Sequence, residues 1–354
     1  MCLCVHRMMR NPKFQFVVGL AISAFFLYLT LRPVNFNDLW GALKTFEWLW
    51  SVPFLVLTFL SMWLRAVRWH YLMRPLGQFS SRRLFSPMMA GFALNSIYPG
   101  RVGEFARAYV LAAREKLPFT SVFATIVLER IFDSITLLLL LVWTFANLQL
   151  NPSDQVAYGK FVVTGQMLQD YAARFATMCA ILLVVAVSFL FNKVREVFCA
   201  VVLRVPFLPK AWRERLAQMV HTFAGGFSSL LDVKAIIWTL LLSIGVWVLV
   251  GASMSVLAYG FPGMKMTLMQ GIAVTVITCV AILIPAAPGY WGLMEVGIIF
   301  GMFTLKIDTV YSRALAYAFV CHALQIFPII GVGLACLWTE RVSLSEIRER
   351  SVTK

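Results

Sequence analysis

Three ionisable side chains, Glu129, Arg130 and Asp133, stand inside the apolar run Phe119–Ala146. As a helix that run is roughly 42 Å long, against a hydrocarbon core of about 30 Å. Glu129 falls about 15 Å along it, some 10 Å inside a centred bilayer. Glu129 and Asp133 share a face at i,i+4, and Arg130 and Asp133 are spaced to pair at i,i+3. An unpaired charge at such depth costs at least about 2.5–3.5 kcal/mol, so the three require partners. The nearest cations in the sequence are Arg101 and Arg107, with Glu104, Arg107 and Leu111 on one face of a short helix. Such a set suits a hydrated groove that holds a lipid headgroup or an ion, or relays protons. It also suits an ion-pair cluster whose work is to pin two elements together.

Two broken segments carry the remaining chemistry. The first reads Asn95-Ser96-Ile97-Tyr98-Pro99-Gly100-Arg101-Val102-Gly103-Glu104, and the second Pro288-Gly289-Tyr290-Trp291-Gly292-Leu293-Met294-Glu295. Both contain P-G-x-x-G followed within three residues by a glutamate. Pro99 and Pro288 remove a backbone donor, while Gly100, Gly103, Gly289 and Gly292 admit unusual dihedrals. Polar backbone freed in this way at membrane depth must be buried in protein or line a wet cavity. The expected substrate-binding or translocation set is therefore Asn95, Arg101, Glu104, Arg107, Glu129, Arg130, Asp133 and Glu295. Arg65 and Arg68, one turn apart after the second span, are read as headgroup contacts, by snorkelling or by touching substrate. His322 and Gln325 are read as polar core residues of the last span.

The elements that must position these residues follow from composition. Hydrophobic residues make up 60% of the 354, and charged residues only 13%, about half the share usual in soluble domains. The apolar runs recur from end to end, which predicts one all-α polytopic membrane domain. Full spans are expected at Phe14–Leu31, Trp48–Leu64, Phe119–Ala146, Tyr171–Phe191, Ala235–Tyr259 and Arg313–Trp338. Leu84–Ala113 and Thr267–Thr304 are two Pro/Gly-broken segments, read as re-entrant hairpins or, for the second, as two full crossings, giving eight hydrophobic segments. The first 13 residues and the tail 339–354 lie outside the transmembrane domain 14–338.

The net charge of +15 comes from basic residues in short loops, which excludes a nucleic-acid module and obeys the positive-inside rule. Arg7, Arg10 and Lys13, the cluster Arg65–Arg83, the connection 192–234 and the tail alternate with connections poor in Lys and Arg. That alternation puts both termini in the cytoplasm, provided each broken segment enters and leaves on one side. The segments 48–146 and 235–338 then form an inverted repeat, an arrangement that places transporter sites near the midplane. Between them, Trp212, Leu216, Met219, Phe223, Phe227 and Leu230 predict an amphipathic helix at the interface or on the bundle ends. The seven cysteines are scattered without metal-ligand spacing, so neither metal nor cofactor is expected.

At Leu64-Arg65-Ala66-Val67-Arg68-Trp69, Asn95…Pro99-Gly100-Arg101-Val102-Gly103-Glu104…Arg107, Glu129-Arg130…Asp133 and Pro288-Gly289…Gly292…Glu295, the chain resembles a known family. It is the flippase-like membrane domain of lysylphosphatidylglycerol synthetases, and the resemblance covers roughly residues 14–338. It implies a protein of a bacterial-type inner membrane that moves a lipid, typically an aminoacylated phospholipid, between leaflets. No aminoacyl-transferase domain follows Trp338, so the expected substrate is another phospholipid, a polyprenyl-phosphate-linked sugar or a hopanoid-type lipid. Membrane lipids, and envelope-assembly enzymes, are the expected partners. A membrane-embedded transferase or hydrolase with paired carboxylates is the competing expectation, although no HExxH or GxSxG occurs. An accessory protein that recruits envelope enzymes is the third.

Overall fold

In the computed structural model, the described residues are 12–98, 101–148, 155–158, 161–164, 191–204, 232–282 and 288–340, with scattered positions between 166 and 188 and Ser229. The expected span Tyr171–Phe191, the interfacial stripe 212–230, Pro99, Gly100 and the tail lie largely or wholly outside them.

The chain is an all-α polytopic membrane protein. Its described helices are α1 (Pro12–Leu31), α2 (Phe36–Lys44), α3 (Ser51–Met73), α4 (Ser81–Ile97), α5 (Val102–Glu115) and α6 (Phe119–Leu148). After α7 (Asn192–Arg204) come α8 (Val233–Ala258), α9 (Leu268–Ala281), α10 (Leu293–Thr304) and α11 (Tyr311–Thr339). Among the described residues, Trp48–Leu76, Val233–Ala258 and Tyr311–Thr339 are long and apolar enough to cross a membrane. α1 and α6 are helices of 20 and 30 residues at two further expected spans. Past α6 the chain departs from pure helix, with Gln155–Tyr158 pairing antiparallel to Phe161–Thr164 as a small hairpin.

The second span ends later than its apolar run. α3 continues from Leu64 through Arg65 and Arg68 to Met73, because the arginines on its buried face meet carboxylates rather than lipid. Local signals set several helix starts. Ser80 accepts the Arg83 N–H at α4, Asp232 accepts the Lys234 N–H at α8, and Thr267 exchanges hydrogen bonds with Gln270 at α9.

Both broken segments fold back on themselves. α4 and α5 have 17 and 14 residues, and α9 and α10 have 14 and 12. At 1.5 Å per residue none spans a core of about 30 Å. Gly103 packs so closely on α4 that a Cβ there would lie 1.9 Å from the Gly91 carbonyl oxygen. In the second segment Gly301 meets Val274 while Gly297 meets Thr278, the order of an antiparallel pair.

Packing pairs the two halves. α3 lies against α8; α4 packs on α5 as α9 packs on α10; α5 packs on α6 as α10 packs on α11. The hairpin of each half packs on the long last helix of the other, α4 on α11 and α9 on α6. The backbone repeats as well. Four non-glycine residues among those described have positive φ: Arg101 (56°) and Tyr290 (59°), each third in its P-G-x, and Lys116 (54°) and Lys306 (52°), just past the short helix each break opens. α1 leans on the second break, where Gly292 leaves room for the backbone of Ser23 and Leu27.

Candidate functional site

The charged residues converge where α3, α5, α6 and α8 meet. Arg65, Arg68 and Trp69 lie within about one turn of α3, which turns a single face inward. α6 supplies Glu129, Arg130 and Asp133, and α5 supplies Glu104 and Arg107. α8, from the other half, supplies Ser243 and Trp247.

Glu129 is fully buried and receives three guanidinium groups. Arg107 binds it through two hydrogen bonds, Nη1 to Oε1 at 3.2 Å and Nη2 to Oε2 at 2.9 Å. Arg130 donates to Oε1 at 2.6 Å, and Arg68 Nη2 stands 3.2 Å from the same oxygen. Asp133 takes Arg68 in a second fork, 2.5 Å to Oδ1 and 3.2 Å to Oδ2. The Trp247 indole N–H donates to Asp133 Oδ1 at 3.2 Å, and Arg68 also donates to Ser243 Oγ at 2.7 Å. The Arg107 guanidinium lies 3.6 Å from the Trp69 ring centre, and the Trp69 N–H is held by Thr125 Oγ1 at 2.9 Å. Bidentate, charge-assisted geometry of this kind allows buried ion pairs to persist. Arg130 and Glu104, 3.7 Å apart, form the accessible edge of the cluster, with side chains 31% and 19% exposed.

A second polar site occupies the matching place in the other half. As Arg107 of α5 meets Glu129 of α6, so Glu295 of α10 meets His322 of α11. His322 Nδ1 is 2.6 Å from Glu295 Oε1, and Nε2 is 2.7 Å from the Gly289 carbonyl oxygen. A carbonyl oxygen only accepts, so Nε2 carries a proton. Glu295 Oε2 accepts the Gly292 N–H at 2.7 Å, and Trp291 covers the imidazole at 4.3 Å between ring centres. Gly289 and Gly292, with φ of 74° and 88°, hold a conformation that L residues with side chains avoid. The carboxylate and imidazole together tie both ends of this break.

Of the residues singled out from sequence, Glu104, Arg107, Glu129, Arg130 and Asp133 come together. Glu295 joins His322 instead of the arginine cluster. Arg101 is exposed, caps α5 in a left-handed conformation, and forms no ion pair among the described residues. Asn95 lies at the Gly103 crossing with its Oδ1 buried and unpartnered among the described residues. Arg65 and Arg68, read as headgroup contacts by snorkelling or by touching substrate, do not snorkel: they are 5% and 0% exposed and turn inward toward Glu129 and Asp133. Sequence reasoning missed Ser243 and Trp247, whose residue types are unremarkable inside apolar runs, and named Trp69 only as the last residue of a motif, with no role. The pairing of His322 was hinted at only by an ionisable residue at depth.

Fold and site define a polytopic helical membrane protein whose two packing-equivalent halves each bury a polar pair beside a broken hairpin. The chain belongs to the family described as the lysylphosphatidylglycerol synthase TM region, whose match covers residues 16–333. It is also similar to the glycosyltransferase AglD of Haloferax volcanii, 27% identical over 305 residues, covering 81% of this chain. The chain spans about half the length of that curated relative, 48%. No solved structure matches it.

Proposed function

We propose that this chain moves a phospholipid or a polyprenyl-phosphate-linked lipid between the leaflets of the inner membrane, with both termini in the cytoplasm. The observation that carries this reading is the arginine–carboxylate cluster at the join of the two halves. A headgroup crossing a bilayer needs polar surface at depth, and a seam between repeats that can rock against each other supplies it. The family supports a role in membrane lipid chemistry. The broken hairpins add polar backbone beside the path, and the Arg130–Glu104 edge gives the cluster an accessible side. The chain works here as a transporter and not as an enzyme.

The purified chain is reconstituted into vesicles that carry fluorescent phosphatidylglycerol or a labelled polyprenyl phosphate, and leaflet exchange is followed by quenching from outside. Exchange by the native protein that falls in Glu129→Gln is the expected result. No exchange of any labelled lipid, across a range of pH and membrane potential, overturns the reading.

The similarity to a relative named glycosyltransferase favours a second reading, in which the chain serves glycosyl transfer to a lipid carrier. Lipid mass spectrometry of a deletion strain separates the two. A missing or new lipid species argues for this second role, whereas unchanged species with altered leaflet exposure argue for transport.

A further inference from the structure

The charges of the buried cluster do not balance. Among the described residues, Arg65, Arg68, Arg107 and Arg130 are linked through ion pairs to only Glu104, Glu129 and Asp133. Guanidinium groups keep their proton throughout the accessible pH range. The cluster therefore holds one positive charge in excess with every carboxylate ionised, and protonating a carboxylate only enlarges it. Buried charge needs a counter-charge.

The excess localises at Arg65. Arg68, Arg107 and Arg130 each donate hydrogen bonds to a carboxylate, whereas Arg65 makes none among the described residues. The nearest acidic oxygen, Asp133 Oδ2, is 3.7 Å away; the Arg65 Nε is buried without an acceptor, as are the Nε atoms of Arg68, Arg107 and Arg130, so it is the missing hydrogen bond to a carboxylate that sets Arg65 apart. The guanidinium instead lies 5.1 Å from the Trp247 ring centre and 5.7 Å from that of Phe92. Aromatic faces attract a cation but give its N–H donors no lone pair of comparable strength. Arg65 stands on α3, Phe92 on α4 and Trp247 on α8, so this fork, held to Asp133 by one long ion pair and by no hydrogen bond among the described residues, lies at the seam between the halves. A planar fork that donates no hydrogen bond to a carboxylate, carries the surplus charge and has aromatic walls matches one monoanionic phosphate group.

We propose that Arg65 anchors the phosphodiester of a lipid headgroup between Phe92 and Trp247; this rests on the lipid-transport reading and names the group that the seam holds. The same chemistry would hold a free phosphate, so the test has an arm for each source.

The full chain in detergent is examined by native mass spectrometry with phosphatidylglycerol, with diacylglycerol of the same acyl chains, and with inorganic phosphate as competitor. One phosphatidylglycerol retained per chain, with diacylglycerol not retained, is expected. Arg65→Gln weakens retention about tenfold or more, the loss of charged hydrogen bonds. Arg65→Lys, which keeps the charge but not the fork, falls between, and it decides the matter if Arg65→Gln fails to fold. Displacement of the lipid by millimolar inorganic phosphate keeps the anion site and reassigns its occupant to the free ion. Equal retention of diacylglycerol, or undiminished retention by both Arg65 variants, overturns the anchor. Leaflet exchange run on the same proteins separates this from the transport reading. Arg65-dependent retention without exchange by the native chain sinks transport alone, and exchange with Arg65-independent retention sinks the anchor alone.

Discussion

Glu129, like Asp133, is ion-paired with three guanidinium groups, and it is the more deeply buried of the two carboxylates. Replacing it with Gln leaves Arg107, Arg68 and Arg130 around a neutral amide that cannot accept from all three. Breaking a buried pair by removing one partner typically costs about 3–5 kcal/mol. Glu129→Gln should therefore unfold at distinctly lower temperature than the native chain in the same detergent, and an unchanged midpoint would show the cluster to be looser than its geometry. Glu295 gives the opposite expectation. A Gln at 295 can accept the Gly292 N–H through its carbonyl and donate its amide to His322 Nδ1, provided the imidazole is neutral. Glu295→Gln should melt within about 1 kcal/mol of native, whereas Glu295→Ala strands a backbone donor and a ring nitrogen at about 1–3 kcal/mol each. Parallel melts of the two variants decide whether the latch is held by hydrogen bonding or by charge. The ionisable residues of both sites were legible because charge inside an apolar run is anomalous whatever surrounds it. Ser243, Trp247 and Trp69 were not, since a serine or tryptophan in a membrane helix is ordinary until its partner is known. The burial of Arg65 and Arg68 was hidden for a related reason: beside Arg74, Arg82 and Arg83 they read as the start of a basic loop.

At the level of elements, the hairpins depend on how near two helices can approach. The glycine at 103 lets the backbone of α5 lie against the Gly91 carbonyl, where a methyl group would sit 1.9 Å from oxygen. Gly103→Ala must push α4 and α5 apart, and with them Arg107 and Glu104. Overpacking of this sort costs about 1–3 kcal/mol or more, and the displacement of Arg107 adds to it. Gly331 in α11 faces open space, with nothing within 4 Å of where a Cβ would stand, so Gly331→Ala is the matched control. Monodisperse yield after detergent extraction should drop for Gly103→Ala and hold for Gly331→Ala; equal yields would mean that the crossing is not tight. The P-G-x-x-G pattern revealed where the breaks fall, because Pro and Gly act on their own backbone. It did not reveal whether the arms turn back, since that depends on contacts between residues such as 274 and 301. The small hairpin of residues 155–164 escaped notice against the helical spans on either side.

For the molecule as a whole, the matching pairs of packing contacts and left-handed residues raise the question of how the halves face the membrane. Loop charge predicts an answer. The first hairpin returns to the side carrying Arg65–Arg83, the cytoplasm, while the second returns to the side of Lys265. Lys116 and Lys306 occupy equivalent left-handed positions after α5 and α10, and both are exposed. If the repeat is inverted, these two equivalent residues lie on opposite faces of the membrane. Single cysteines at 116 and at 306, in a chain whose native cysteines are replaced by serine, report this directly with a membrane-impermeant maleimide. In intact cells the residue-306 cysteine should react and the residue-116 cysteine should react only after the membrane is opened. Labelling of both from the same side would make the halves a parallel repeat. The seam around Arg65 would then have no symmetry-related way to open to each leaflet in turn, and transport through it would lose its structural basis.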